Sequence, residues 1–528
     1  MKHNKILVLL SISAIATAVL ADNRSDSSEL EATSKTTLAI HPLFVSQSPE
    51  MVSGFRNDRN ITRENGRGGA FQAVLFGSRT TNSCDLAQYF FPDAKESLVA
   101  AEDTFAPSPG FTVEKDLLAQ DFNVFTVNGN FESTIRIAPQ QSVIGLGLHY
   151  RQSFWKNHDR GRGFWLSVSA PIMHVKNDMN FCENIINDGG GVAETVIGVE
   201  TPVANMTEAF RQQAWNFGKI CADSSMKKTG LGDIEFKIGY EWLQHEPAHM
   251  ESYLGIIIPT GNRNEGVFVF EPIVGRGKYF GIMFGSCLGL EIWTNEAGDK
   301  NIRYELANHT EILLKREQIR SFDLKHRPWS RYLPVYLNQE QAQQAADAGS
   351  QFLSTPGINV FTQEVNVTPG LTHDINTAFI FTVRKFQAEV GYNFLAKRAE
   401  KVELDCCWQP GPALVHFLGL GQTNPIRTID GNKYYEQTVT NEPNSATVLI
   451  PVLLANFETS LIQEEDLDLN SASTPALFAN TLYGTLGFHC HDREYPIFGN
   501  FGGSYTFSTN NNAVPRRWVL WVKMGVSF

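Results

Sequence analysis

The chain has 528 residues, a formal net charge of −12 and 42% hydrophobic residues, long enough for two or three soluble domains or one large barrel. Charged residues make up only 19%, and Phe occurs 36 times, whereas an average soluble domain is roughly 25% charged. The acidic balance excludes a nucleic-acid partner, which needs a basic face, and no glycine-rich phosphate loop of the Lys-Ser/Thr kind occurs.

The N-terminus reads as a targeting segment. Lys2, His3 and Lys5 form a positive head, Ile6 to Leu20 are apolar or small, and Val19-Leu20-Ala21 fits a small-residue cleavage site. Residues 1–21 are therefore expected to be a signal peptide, with Asp22 as the mature start. No later stretch reaches the roughly 18 apolar residues of a membrane helix, so the mature protein is periplasmic, secreted or a barrel. Residues 22–129 are expected to be a periplasmic segment or an inward plug. Within them Asp22–Lys35 is Ser/Asp/Glu-rich, 66–79 look like a Gly-opened strand and 85–103 suggest a short helix.

From residue 130 onward, apolar residues recur at every second position. The last strand is the clearest. Trp518, Leu520, Val522, Met524, Val526 and Phe528 share one face, and Arg517, Trp521, Lys523, Gly525 and Ser527 share the other. A two-faced strand ending in Phe at the carboxylate resembles the terminal strand of outer-membrane barrels, so Phe528 is expected to engage the barrel assembly machinery. Strands are predicted near 130–138, 142–155, 162–175, 230–243, 249–260, 277–293, 300–316, 373–384, 386–398, 477–490, 496–508 and 515–528. Segments of about 10 to 16 residues exceed the 5 or 6 usual in soluble sheets. The fold class is thus all-β: a transmembrane antiparallel up-and-down barrel over 130–528, with about 12 strands in a range of roughly 10 to 16. With Phe528 in the periplasm, the short links 156–161, 244–248, 294–299, 384–386 and 491–495 fall on the periplasmic side. The long links 176–229, 261–276, 317–372 and 399–476 fall outside.

In this register one face of the wall meets outer-membrane lipid and the other carries mixed charges. Arg136, Arg151, Glu235, Lys237, Glu241, Glu291, Arg303, Glu305, Glu311 and Glu389 are expected to line the lumen. Glu132, Lys315, Arg384, Lys397, Arg517 and Lys523 join them. They read as an ion-pair network, as a polar path for a small-molecule solute, or as both.

Enzymatic signals are weak. His245-Glu246-Pro247-Ala248-His249 matches a zinc-protease motif that needs a helix, but Pro247 disrupts a helix and the residues separate two alternating strands. Asp466-Leu467-Asp468-Leu469-Asn470 opens like a calcium loop and then has Ser471 and Leu477 where Gly and Glu are needed. His489 and His491 flank Cys490 at a strand end. His174 faces lipid near the outer rim with no serine partner in view. No catalytic residue, cofactor or metal ligand is expected. Cys182 and Cys221 fall in one external link, which makes a loop-closing disulfide plausible in an oxidising compartment. Cys406 and Cys407 are adjacent in another.

Residues 230–262, GLGDIEFKIGYEWLQHEPAHMESYLGIIIPTGN, resemble outer-membrane transporters associated with the meta-pathway of phenol degradation. In that family Gly-x-Gly-Asp opens one strand and Pro-Thr-Gly closes the next, here Gly230, Gly232, Asp233 and Pro259, Thr260, Gly261. The family is similar to the long-chain fatty-acid channels, and the resemblance implies passage of apolar or aromatic solutes. The expected function is an outer-membrane channel. The alternative is a non-conducting surface protein whose loops bind a partner. Trp329, Tyr332, Tyr336 and Trp408 would be surface aromatics in that case and lumen constriction residues in the first.

Overall fold

The computed structural model describes residues 34–54, 68–102, 115–157, 161–193, 202–245, 247–348, 354–409, 411–418, 429–430, 433–434, 456–490, 494–508 and 513–528. The expected signal peptide and the mature start at Asp22 lie outside them. Twelve antiparallel strands close into a ring. They are β1 Gly69–Thr80, β2 Gln140–Asn157, β3 Arg162–Asp178, β4 Ile234–His245, β5 Ala248–Ile258 and β6 Gly281–Thr294. The second half is β7 Lys300–Leu313, β8 Thr372–Val383, β9 Phe386–Lys397, β10 Leu477–Cys490, β11 Ile497–Phe507 and β12 Arg517–Ser527. Each strand pairs with its neighbours in sequence, and β1 pairs with both β2 and β12, so no edge is left.

The first strand corrects the sequence reading. The barrel opens with Gly69–Thr80, inside the stretch assigned to a plug or periplasmic segment, and not with 130–138. Glu132–Arg136 lies in a four-stranded sheet outside the wall, with Leu117–Leu118, Ser97–Ala101 and Cys182–Asn187. Its alternation has another cause: Phe131 and Ile135 are buried in a separate apolar core. The helix expected over 85–103 is shorter, Ser83–Phe90, and is followed by the strand at 97–101. The strand Asn456–Leu461 pairs with Ala413–Leu418 outside the barrel.

Links of two lengths alternate around the ring. At one end, 158–161, 246–247, 295–299, 384–385 and 491–496 are short. At the other, 81–139, 179–233, 259–280, 314–371, 398–476 and 508–516 are longer. The strands have 11 to 18 residues, which meets the roughly 9–11 that a tilted strand needs to cross a bilayer. Their outward faces form an apolar belt. Leu75, Ile144, Leu254, Val390, Leu486, Phe501 and Met524 are all more than half exposed, a surface that water would penalise and lipid accepts. At the short-link end Trp155, Phe164, Trp242, Trp293 and Phe386 are exposed as an aromatic girdle, and β-bulges at Ser153/Trp155 and Glu291/Trp293 re-aim two of these positions. Among the described residues no helix is long and apolar enough to cross a membrane. The chain is an outer-membrane β-barrel.

The long links fold on themselves. One core gathers Phe90, Phe122, Phe210, Trp215, Trp329 and Tyr332. A second gathers Phe322, Phe361, Val365, Trp408 and Leu467. Three ring donors inside them find backbone carbonyls: Trp329 Nε1 donates to Phe90 O at 2.9 Å, Tyr332 Oη to Gly218 O at 2.9 Å, and Trp408 Nε1 to Ile462 O at 2.8 Å. Arg331 and Asp323 form a buried ion pair at 2.7 Å. Tyr336 is buried in a smaller cluster with Ala342, Ala345 and Ala413, so Trp329, Tyr332, Tyr336 and Trp408 are all cap residues, neither surface aromatics nor a lumen constriction.

The register makes a direct prediction. Leu254→Arg puts a charge on the lipid face and should cost about 2–4 kcal/mol if near the midplane. Tyr253→Phe, on the inner face of the same strand, removes one hydroxyl and no charge, costs only about 0.5–1.5 kcal/mol, and leaves the apolar belt intact. The folded fraction, read from the migration difference between heated and unheated detergent samples, should drop for Leu254→Arg only. Equal drops would mean that β5 is misassigned.

Candidate functional site: a filled lumen beneath a cavity

The inner face of a closed barrel brings charges together in a space with little water, where unpaired ions are costly. This chain pairs them in clusters. Arg276, carried in by the long link 259–280, donates from Nη2 to Glu235 Oε1 at 2.6 Å and from Nε to Glu311 Oε1 at 2.9 Å, and lies 3.7 Å from Asp233. Lys237 is 3.4 Å from Glu235. A second cluster sits toward the short-link end: Arg151 contacts Glu251 at 2.7 Å and Glu241 at 3.2 Å, Lys156 is 3.5 Å from Glu241, and the Arg151 guanidinium stacks 4.1 Å from the Trp165 ring.

The N-terminal segment occupies the remaining space. Leu43, Phe44, Met51 and Val52 pack with Val74, Phe76, Val143, Met173 and Trp521 of the inner wall. Phe44 stacks on Phe76 with centroids 6.0 Å apart. Gly147 makes this possible, since a Cβ there would fall 2.1 Å from the Phe44 ring. The polar wall grips the segment's backbone. Lys523 Nζ donates to Met51 O at 2.7 Å and Ser53 O at 2.5 Å, Asn500 Nδ2 to Ser53 O at 2.9 Å, and Arg517 Nη1 to His41 O at 3.1 Å. Glu389 accepts from Gly54 N at 3.0 Å and Glu235 from Ser46 Oγ at 2.6 Å.

The structure places the sequence-predicted residues as follows. Glu235, Lys237 and Glu311 meet around Arg276, and Arg151 and Glu241 meet with Glu251. Glu389 holds the N-terminal segment, and Lys523 and Arg517 join it. Arg303 Nη2 lies 3.1 Å from His249 Nδ1, and Glu305 Oε2 lies 3.7 Å from Cys287 Sγ. Glu291 is on the inner face near the short-link rim, half-buried. Lys397 pairs with Glu400 at the other mouth. Arg136 is not in the lumen: with Glu132 it belongs to the outer sheet, and it is exposed. Lys315 and Arg384 also lie outside, paired with Glu403 and Asp299. Cys182 and Cys221 are free thiols, not a disulfide. Cys182 is an exposed strand residue opposite Arg136, and Cys221 Sγ lies 3.1 Å from Ser224 Oγ. His245 and His249 stand on paired strands, with Ala248 opposite His245, so the protease motif is a hairpin.

Arg276 and Glu251 were missed. Arg276 sits in a link with no alternation, and Glu251 follows an irregular start to β5. The two halves of the family-like motif do meet. Gly261 N donates to Asp233 Oδ1 at 3.2 Å, and Thr260 Oγ1 bonds Gly232 O. A Cβ at Gly261 would fall 2.0 Å from Val274 O, so only glycine closes that corner.

Above the N-terminal segment and beneath the cap lies a cavity of about 160 Å³. Its wall is mostly apolar, with Leu38, Ile40, Val143, Met173, Phe270 and Leu313, and it also carries Arg276 and Arg517.

No family model and no curated protein matches the chain. Among solved structures, the chain is similar to an outer-membrane channel from Pseudomonas putida F1, at 8% identity over 87% of this chain and 96% of that one, with a TM-score of 0.35. It is also similar to the transport unit of an Escherichia coli autotransporter, at 6% identity over 90% and 95% of the two chains, with a TM-score of 0.32. A Pseudomonas aeruginosa FadL homologue aligns at 8% identity over 88% and 90%, with a TM-score of 0.27.

The grip on the N-terminal segment is testable. Lys523→Met leaves the Met51 and Ser53 carbonyls without this donor, a loss of about 1–3 kcal/mol. Ser53 is fully buried. With the native cysteines replaced by serine, a thiol at Ser53→Cys should react with a water-soluble maleimide at least about tenfold faster when Lys523→Met is added, since 1.4 kcal/mol is a factor of ten. Equal rates would show that Lys523 does not hold the segment.

Proposed function

We propose that this barrel is an outer-membrane channel for small solutes, apolar or aromatic ones included, and that residues 41–54 form a plug that shifts to let them pass. The observation that carries this reading is the cavity between plug and cap. Its 160 Å³ is comparable to the about 150 Å³ apolar cavity that accepts benzene in another protein. The resemblance of residues 230–262 to phenol-pathway transporters supports the same solute class. In this reading the short links face the periplasm, the cap faces outward, and the lumen charges are a paired lining that the solute meets below the cavity. The packing of Leu43, Phe44, Met51 and Val52 on the inner wall favours the second reading, a non-conducting surface protein.

One substitution separates the two. Ile40→Trp overfills the cavity at a cost of about 1–3 kcal/mol, which the barrel as a whole should tolerate. Uptake of a labelled monoaromatic compound by cells making this variant should fall about tenfold at equal surface level. Uptake equal to that of the unaltered protein would remove the cavity from the path. If the unaltered protein gives no uptake above cells lacking it, the surface-protein reading replaces the channel.

A further inference from the structure

Three neighbouring strands aim a histidine, a cysteine and a glutamate at one point on the inner wall. His249 of β5 stands opposite Gly289 of β6, and Gly289 stands opposite Glu305 of β7. Cys287 lies two residues before Gly289 and faces the same way. Cys287 and Glu305 are buried and His249 is half-buried. His249 Nε2 is 3.9 Å from Cys287 Sγ, Cys287 Sγ is 3.7 Å from Glu305 Oε2, and all three ligand atoms lie within 4.8 Å of one another. Gly289 is what lets them meet. A Cβ there would fall 2.0 Å from His249 Cε1, so any other residue would push the imidazole off the wall.

We propose that His249, Cys287 and Glu305 form a lumenal site for a borderline or soft divalent cation, of which zinc is the type. A tetrahedral zinc ion with its usual bonds to sulfur and nitrogen sets an S–N edge of about 3.6 Å, so the observed spacing needs to contract by only a few tenths of an ångström. Thiolate and imidazole together select against magnesium and calcium, which take oxygen ligands. A void of about 30 Å³, with Cys287, Tyr253 and Glu251 on its wall, has room for a water as fourth ligand. Binding forms one bond each to sulfur, nitrogen and oxygen and releases the Cys287 thiol proton to lumen water. No electron moves. The thiolate and carboxylate then balance the two positive charges of the ion.

Arg303 sets the affinity. Its guanidinium lies 3.1 Å from His249 Nδ1, so without metal it donates to a nitrogen that must itself carry the proton when Nε2 binds the ion. Arg303 is only half-buried, and it has to swing away for the site to fill. It therefore competes with the cation both for the ring tautomer and as a like charge. A purely structural row of hydrogen bonds from Arg303 through His249 and Cys287 to Glu305 would bind no cobalt, and removal of Arg303 would then change only stability.

The test uses the full-length barrel purified in detergent without metal, with Cys84, Cys182, Cys221, Cys406, Cys407 and Cys490 replaced by serine. Cobalt(II) is the probe, read by its thiolate charge-transfer absorption, and zinc is the competitor. One equivalent of cobalt should bind and be displaced by zinc. The absorption should vanish in Cys287→Ser and affinity should fall at least tenfold in His249→Ala. Gly289→Ala, which keeps all three ligand groups, should also weaken it. Arg303→Gln should tighten binding several-fold. Migration of unheated samples reports that each variant is folded. Absence of the thiolate absorption in the folded parent, its persistence in Cys287→Ser, or weaker binding in Arg303→Gln would each overturn the proposal.

Discussion

The inward-facing charges of a narrow closed barrel must find partners within the lumen. A twelve-stranded wall alternates outward and inward residues by its pleat, so an apolar belt toward lipid forces the other half of every strand inward. Here that half includes Arg151, Glu235, Lys237, Glu241, Glu305, Glu311, Glu389 and Lys523. Two clusters are paired through Arg276, which meets three carboxylates, and Arg151, which meets two. Lys523 and Glu389 are answered by the backbone of residues 51–54, a cation on carbonyls and a carboxylate on an amide. The N-terminal segment is thus part of the lumen's charge balance as well as its filling.

The apolar half of the plug follows the same logic. Phe44 and Met51 cannot rest against a polar wall, and the inner face opposite them supplies Val74, Phe76 and Val143. Above it the long links bury their own aromatic residues in two cores and roof the barrel. The cavity is what remains between a plug held by polar contacts and by four apolar side chains, of which only Phe44 is aromatic, and a roof held by two aromatic cores. Polar contacts to backbone exchange readily with water as a segment moves, whereas dispersing an aromatic core costs several kcal/mol per side chain, about 3–5 for a Phe or Trp. If either partition moves, the plug is the cheaper one.

Much of this was legible in period-two alternation, because the lipid face and the lumen face are chemically distinct over most of the wall. The strands from 140 to 178 and from 234 to 527 were readable for that reason, and chain parity then sorted short links from long ones. The first strand was not readable as barrel. Its inward Val74 and Phe76 are apolar because they meet the plug, so the contrast between faces that marks a wall strand is lost in β1. The segment 130–138 alternates equally well, but against the cap core, and local pattern cannot tell a lipid from a second hydrophobic surface. Arg276 was invisible because its role depends on a link folding back into the mouth. His249 was read only as part of a protease-like string, and its company with Cys287 and Glu305 depends on strand register, which no single segment encodes.

The central claim is that residues 41–54 must leave their place for a solute to pass. A covalent tether tests it most directly. An ideal Cβ at Gly54 lies 3.6 Å from Asn500 Cβ, close to the about 3.8 Å of a disulfide. Gly54 has a φ of 62°, so a Cys there costs about 1–2 kcal/mol, less than the about 2–4 kcal/mol a disulfide contributes; Gly54→Cys with Asn500→Cys, in a background free of other cysteines, should therefore still lock the plug to β11 on oxidation. Uptake of a small apolar solute should fall to the level of cells lacking the barrel when the tether is oxidised, and should recover on reduction. Equal uptake in the oxidised and reduced states would contradict the account, because solute would then be passing a plug that cannot move.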